Sequence, residues 1–562
     1  MSSRPRDVAA SPGPLLIANV PSKRDRFRPA QPDRDPSAEL QLSVVLCRYH
    51  RRSRGEDETL TAAQTLTLQD LKSHLWDCAE ILRGSAVDRT DWKAFILPLL
   101  FFKRICDVYD EEAAEATEVF GDVDPIYFPE VHRFTIPEGS HWQDVRETPV
   151  NVGAALSHAM REIELANPDT LYRVFGTADW GNRELLTDEI IKDLIECYSE
   201  VELGNKAVST DILGDAYEYL IGKFADVTRR KKAGEFYTPR SVVRMMVDLL
   251  QPREGDTIYD PACGTGGMLV GAVDHVQRAG GDPRTFFGRL FGQEKNLTTS
   301  SIARMNLVLH GVEEFQIMRG DTLRDPAFTD SATAGLAQFD CVIANPPFSL
   351  KEWGLEVWES DPWGRATFGI PPKSYGDYAW VQHMVASMAE GTGRMAVVLP
   401  QGALFRKGAE GRIRRRILDL DLVEAVIGLG PNIFYGTGLA PAILTLRRVK
   451  SEDRKGKVLI VDASTLYRKG RAQNFLDPEH TSQIVAWVES FEDVEDHTKV
   501  VTLEEIESED WTLNISRYVL PAIGENIPPL PEAVGAFKEA LSEARLAEDN
   551  LREVLTQGGW LE

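Results

Sequence analysis

The sequence predicts an α/β fold: a Rossmann-like, mostly parallel sheet with a helical domain before it and one helix after it. Three observations carry this reading. From Gly234 to about Val461, short β-rich runs alternate with helical segments, as strands and crossover helices do in a parallel sheet. From Leu66 to about Asp226, apolar residues recur at helical spacing instead. After Pro528-Pro529-Leu530-Pro531, Val534, Phe537, Leu541, Ala544, Leu551 and Leu555 line one side of a last helix.

Taken in order, residues 1–65 are rich in Pro, Arg and Ser and read as a disordered extension. Residues 66–226 read as the helical domain. Its helices are expected around Leu68–Leu82, Trp92–Tyr109, Val152–Ala166, Thr187–Tyr198 and Asp211–Asp226, with an acidic run at Glu111–Glu115. None of them shows a cluster that reads as a site, so the expectation is a packing or partner-binding domain. Residues 227–480 form the α/β domain, with strands at Thr257–Tyr259, Cys341–Ala344, Met395–Leu399, Val423–Ile427, Ala442–Leu446 and Val458–Val461. Residues 481–562 form a tail ending in a helix from about Glu532 to Leu555. That helix packs either on its own chain or on a helical partner.

Composition narrows the function classes. At 562 residues, 43% hydrophobic and 27% charged, the chain is globular with two or three domains. Its net charge of -24 argues against a lone protein gripping a long stretch of nucleic acid, because phosphate contacts need basic surface. The six cysteines show neither zinc spacing nor a disulfide framework, so a reducing cytoplasm is expected. The strongly apolar stretch Ala94–Phe102 is too short to span a bilayer, and no membrane role is expected.

Three motifs carry chemistry. Asp260-Pro261-Ala262-Cys263-Gly264-Thr265-Gly266-Gly267 follows a strand and opens a helix. Its glycines allow a tight turn and close approach of a ligand to the backbone. It is neither a Walker loop nor a G-x-G-x-x-G dinucleotide loop. Asp260 would repel a pyrophosphate but suits a cofactor bearing an ammonium and a sulfonium, which favours S-adenosylmethionine over NAD. Glu294 ends the second strand, where a carboxylate can accept from ribose hydroxyls, and Asp321 follows the third, where it can accept from an adenine amino group.

The second motif is Asn345-Pro346-Pro347-Phe348, after the strand Cys341–Ala344. An aromatic amine is a poor nucleophile because its lone pair is delocalised. Two acceptors, the Asn345 side-chain oxygen and the Pro346 carbonyl, can hold both amino hydrogens and aim the lone pair. Phe348 can stack on a flipped base. The third motif, Gly234-Glu235-Phe236-Tyr237-Thr238-Pro239, precedes a helix and can close over a cofactor, with Thr238 as N-cap and Pro239 at its first position. Basic runs stand at Arg229–Lys232 and Arg412–Arg416.

Together these motifs resemble the amino-methyltransferases of DNA adenine, and more narrowly the modification subunit of type I restriction-modification systems. The likeness runs from about Leu66 to the C-terminus. It implies that Glu235, Phe236, Tyr237, Thr238, Pro239, Asp260, Ala262, Gly264, Thr265, Gly266, Glu294, Asp321 and Asp377 surround S-adenosylmethionine. It implies that Asn345, Pro346, Pro347 and Phe348 are catalytic, and that Phe348 and Phe434 hold the flipped base. No metal is implied. The implied partners are double-stranded DNA, a specificity subunit flanked by two modification subunits, and a restriction subunit. The competing readings are a stand-alone adenine methyltransferase, a protein-glutamine methyltransferase and a cofactor-binding scaffold.

Overall fold

The computed structural model describes residues 67–120, 132–228, 238–434, 438–471, 473–519, 529–558 and 560–561. The 1–65 extension, the Arg229–Lys232 run, and Glu235, Phe236 and Tyr237 of the third motif lie outside the described residues.

The helical domain follows its apolar spacing. Helix α1 (Leu68–Glu80) starts where the Thr67 side chain accepts from the Asp70 N–H, and it buries Leu71, Leu75, Cys78 and Ala79. Helix α2 (Lys93–Phe120) runs straight through the acidic stretch expected to follow it. Glu and Ala favour helix, and Glu111 is also held in place: its carboxylate accepts from the backbone N–H groups of Asn205 and Lys206 at 2.5 and 3.0 Å. Helices α3 (Trp142–Arg146), α4 (Val152–Ala166), α5 (Asp188–Ser199) and α6 (Thr210–Thr228) complete the unit. Their core continues into Ile302, Met305 and Val308 of a helix of the α/β domain, so the two share one hydrophobic cluster.

The cysteine expectation is corrected here. Cys78 on α1 and Cys197 on α5 form a disulfide across 119 residues of sequence. Cysteines so far apart leave no spacing signal, and only the packing of α1 on α5 brings them together. A bridge closing a loop of this length restricts the unfolded chain by about 3–5 kcal/mol. Cys78→Ser is therefore expected to lower the melting temperature of the oxidised protein. A reductant should reproduce that loss in the parent and do nothing further to the variant. Equal melting of the parent with and without reductant would count against the bridge as a stabilising element.

The α/β domain begins with α7 (Arg240–Leu250), then β1 (Ile258–Asp260), α8 (Gly267–Arg278), β2 (Leu290–Glu294), α9 (Leu297–Leu309) and β3 (Gln316–Arg319). A small hairpin, β4 (Thr329–Asp330) and β5 (Gly335–Leu336), precedes β6 (Cys341–Ala344). There follow α10 (Leu355–Trp358), α11 (Asp377–Ala386), β7 (Arg394–Pro400), α12 (Ala409–Asp419), β8 (Val423–Leu429), β9 (Pro441–Arg447) and β10 (Lys457–Ala463). Helix α13 (Pro478–Ser490), β11 (Thr498–Thr502) and α14 (Leu503–Ser508) close the domain.

The main sheet has the order β11-β10-β8-β9-β7-β6-β1-β2-β3. It is parallel from β7 to β3, while β9 and the edge strand β11 run antiparallel. Alternate residues of β6 serve the cores on its two faces: Cys341 and Ile343 on one, Val342 and Ala344 on the other. The sheet runs past the boundary expected at 480, because β11 pairs along β10 from Lys457–Thr502 to Val461–Thr498. The last helix, α15 (Leu530–Gln557), has no buried residue. Of the two readings left open for it, packing on its own chain is not what the structure shows.

Candidate active site

Strand order explains why distant motifs meet. The Asp260 loop, Glu294, Asp321 and Asn345 leave the carboxyl ends of β1, β2, β3 and β6, which are neighbours in the order β6-β1-β2-β3. Side chains far apart in sequence thus open onto one cavity of about 1060 Å³. Thr238, Asp260, Ala262, Gly264, Thr265, Glu294, Asp321, Asn345, Pro346 and Pro347 all line it.

The glycine loop is held from three sides. The Asp260 carboxylate accepts from the Ala262 N–H at 3.0 Å, and the Thr322 hydroxyl donates to the Pro261 carbonyl at 2.6 Å. The Asn306 side-chain amide donates to the Thr265 carbonyl at 3.0 Å. Gly264 and Gly266 have φ of +53° and +81°. A Cβ at Gly266 would also sit 3.3 Å from the Ala303 carbonyl oxygen, so this glycine is required by both conformation and space. Gly266 caps α8 from behind and does not line the cavity.

The acidic positions differ in character. Glu294 bridges two loops, accepting from the Gly264 N–H at 3.1 Å and the Asn296 N–H at 2.7 Å. Asp321 is ion-paired with Lys295 and Arg324, each at 2.9 Å. Burial alone would raise its pKa, but these two hydrogen bonds outweigh it and hold the carboxyl below its usual value. Asp260 goes the other way. Burial, with a smaller push from the Glu294 charge, moves it from 3.8 to about 8 against the lowering effect of the Ala262 N–H.

In the Asn-Pro-Pro-Phe segment the Asn345 amide nitrogen donates to the Thr238 hydroxyl at 2.9 Å. Its Oδ1 is buried and has no hydrogen-bond partner among the described residues. An unpaired buried acceptor costs about 1–3 kcal/mol, a cost retained here at the cavity wall.

Other expected site residues stand apart from the cavity. Asp377 is corrected from a cofactor-lining residue to a brace: it accepts from the Ser349 N–H at 2.7 Å and pairs with Arg406. That contact holds Ser349 at φ +51°, a conformation unusual for a non-glycine residue, and so sets the exit of the Phe348 loop. Phe348 and Phe434 meet edge-on, with ring centroids 6.3 Å apart and planes at 61°. Phe434 is buried, and a base stacked between the two would need the rings parallel. Pro239 does not line the cavity either. It is the N-cap of α7, with φ -57°, so the helix starts one residue later than expected and Thr238 is left outside it. The Thr238 hydroxyl serves Asn345 instead of a helix N–H.

The sequence reading missed several contributors. Trp380 on α11 lines the cavity, is 6% exposed, and has an indole N–H without a partner among the described residues. A tryptophan in an apolar helix gives no sign of this. Asp211, Asp215 and Glu218 of α6 also line the cavity, so the helical domain is part of the site rather than packing alone. Conversely, the Arg412–Arg416 cluster is structural in part: Arg414 donates to the Trp511 and Ala403 carbonyls, and Arg416 to that of Phe368.

Residues 208–525 match the N-6 DNA methylase family, and residues 71–197 match the HsdM N-terminal domain. The MjaVII methylase subunit, a type I restriction enzyme component of Methanocaldococcus jannaschii, is 33% identical over 503 residues, covering 85% of this chain and 82% of that protein. The chain belongs to the N-6 DNA methylases, as a type I modification subunit. The HindI methylase subunit of Haemophilus influenzae is 32% identical over 68% of this chain and 89% of its own length. A crystal structure of a type I methyltransferase subunit from Streptococcus thermophilus superposes with a TM-score of 0.70 at 31% identity, covering 81% of this chain and all of the other.

A type I modification subunit is an adenine-specific DNA methyltransferase, and its cofactor is S-adenosylmethionine. The residues present fit that group. The cavity is large enough for a nucleoside-sized ligand, acids rather than bases stand at the glycine loop, and an unpaired acceptor stands beside them.

Asp260 gives this fit a pH signature. With its pKa near 8, the carboxyl is mostly neutral at pH 7 in the free protein. A cationic ligand nearby favours the ionised form, so binding is coupled to proton loss. The affinity for S-adenosylmethionine is expected to rise from about pH 6.5 to about pH 8.5, and Asp260→Asn should flatten that slope. An identical slope in the variant would remove Asp260 from the account. The stability linkage has the opposite sign. A carboxyl raised from 3.8 to about 8 by folding contributes stability fully at low pH, and that contribution is lost as pH climbs towards 8.

Proposed function

We propose that the chain transfers a methyl group from S-adenosylmethionine to N6 of adenine in double-stranded DNA, within a complex whose specificity subunit reads the sequence. One observation carries the chemistry: the buried, unpartnered Oδ1 of Asn345 at the wall of the cavity that holds the glycine loop. The cofactor, when bound, supplies an electrophilic methyl group on a sulfonium. The protein's task is to make a poor amine nucleophilic. Oδ1 of Asn345 accepts one amino hydrogen and the Pro346 carbonyl accepts the other. Holding both draws the N6 lone pair out of the ring and orients it, and the proton leaves after attack. The two prolines limit the motion of this segment, so little ordering remains at the moment of reaction.

Reaching N6 requires the adenine to leave the duplex. Phe348 and Phe434 stack on it once their edge-on contact opens. Glu294 takes the ribose and Asp321 the adenine of the cofactor. Glu235, Phe236 and Tyr237 are assigned to cofactor binding by the family resemblance alone.

The assembly reading rests on charge and on α15. A net charge of -24 does not suit a chain that binds DNA alone, and a helix with no buried residue calls for a partner. In this reading two modification subunits flank one specificity subunit.

The reaction is tested by incubating the purified complex with methyl-labelled S-adenosylmethionine and duplex DNA, then digesting both products. Label in N6-methyladenine is expected. Label in glutamine of a protein, with none in DNA, would replace this reading with protein methylation.

A further inference from the structure

We infer that Thr238 is a positioning residue that tethers the Asn345 side chain by its Nδ2 end, and that the helical domain fixes Thr238 through Arg240. This rests on the catalytic reading of Asn345.

A side-chain amide has two ends of almost equal size. One accepts hydrogen bonds and the other donates. Only the acceptor end serves an amino group, because a donor end would face the two N–H bonds it is meant to hold. In the structure the Thr238 hydroxyl accepts from Nδ2 at 2.9 Å, and Oδ1 is left as the atom without a partner among the described residues. Thr238 and Asn345 both line the cavity, although 107 positions separate them in sequence.

The location of Thr238 is in turn prescribed. Pro239 restricts the backbone between it and α7. Arg240, the first residue of α7, donates to Asp215 of α6 at 2.6 Å and is ion-paired with Glu218 of the same helix. The Glu218 side chain is 7% exposed and that of Arg240 47%, so the pair is anchored on a buried acid at the edge of solvent. The order of control runs from α6 to Arg240, through Pro239 to Thr238, and from its hydroxyl to the amide of Asn345. Residues of the helical domain thereby bear on a reaction at a residue of the α/β domain.

The test uses the complex of this chain with its specificity subunit. Thr238→Val keeps the shape and removes the hydroxyl, whereas Thr238→Ser keeps the hydroxyl. For each, kcat on duplex DNA and the equilibrium Kd for S-adenosylmethionine are measured separately. Thr238→Val is expected to lose roughly 10–100-fold in kcat, the scale of a misplaced reacting group, with Kd nearly unchanged. Thr238→Ser should recover most of kcat. The double variant with Asn345→Ala should be no slower than Asn345→Ala alone, since the hydroxyl acts only through that amide.

A loss confined to Kd in Thr238→Val, or a serine variant as slow as the valine, would overturn the inference. So would full activity in Thr238→Val. If Thr238→Val is unaffected while Asn345→Ala is inactive, the positioning role fails and the catalytic reading stands. If Asn345→Ala itself turns over normally, the catalytic reading fails.

Discussion

Replacing Asn345 with alanine is expected to lower DNA methylation on the order of 10³-fold while leaving the affinity for S-adenosylmethionine close to its original value. The size follows from what is removed. Deleting one preorganised hydrogen-bonding group at a reacting centre typically costs about 10²–10³-fold. Here the group holds one of the two hydrogens of the nucleophile itself, so the upper end applies. The affinity is spared because the glycine loop does not depend on Asn345. Its hydrogen bonds come from Thr322, Asn306 and Glu294. The side-chain contact that Asn345 gives up is the one to Thr238. The effect should appear in single-turnover kinetics with saturating cofactor. A rate close to that of the parent would remove Asn345 from the mechanism. A parallel loss of cofactor binding would turn it into a binding residue.

The second large effect is expected from deleting residues 530–562. The truncated chain should fold and bind cofactor, but co-purify with no specificity subunit and leave DNA unmethylated. Helix α15 contributes no buried residue to its own chain, while Phe537, Leu546, Leu551 and Val554 are each more than half exposed. An isolated helix gains too little from its own backbone hydrogen bonds to carry such apolar exposure, and burial against a partner recovers about 1.5–3 kcal/mol per large side chain. Several such side chains amount to a stable interface. Size-exclusion chromatography of the co-expressed subunits checks the outcome. An intact complex after truncation would assign assembly to another surface.

The parts of the site that were legible in the sequence are those that are contiguous. The glycine loop and the Asn-Pro-Pro-Phe segment each follow a short apolar strand, and the structure places both at strand ends facing one cavity. Glu294 and Asp321 could be found because each ends or follows a strand. What was not legible depends on packing between distant segments. The Cys78–Cys197 bridge, the α6 acids at the cavity wall and the bond from Asn345 to Thr238 have no local pattern. Asp377 follows a Tyr-Gly turn and reads as a pocket residue, yet its carboxylate is consumed by Ser349 and Arg406. Trp380, in the next turn of the same helix, reads as core because its neighbours are apolar, and only its unpaired N–H sets it apart. The edge strand β11 escaped notice because five residues with mixed polarity carry little periodic signal.

The account is tested most directly by measuring N6-methyladenine in the DNA of a methylation-free host, by mass spectrometry of digested nucleosides. The chain is expressed alone, and together with the specificity subunit encoded beside it. Methylated adenine is expected only when both are present. Methylated adenine from the chain alone, or none from the pair while the cofactor still binds, would contradict the account.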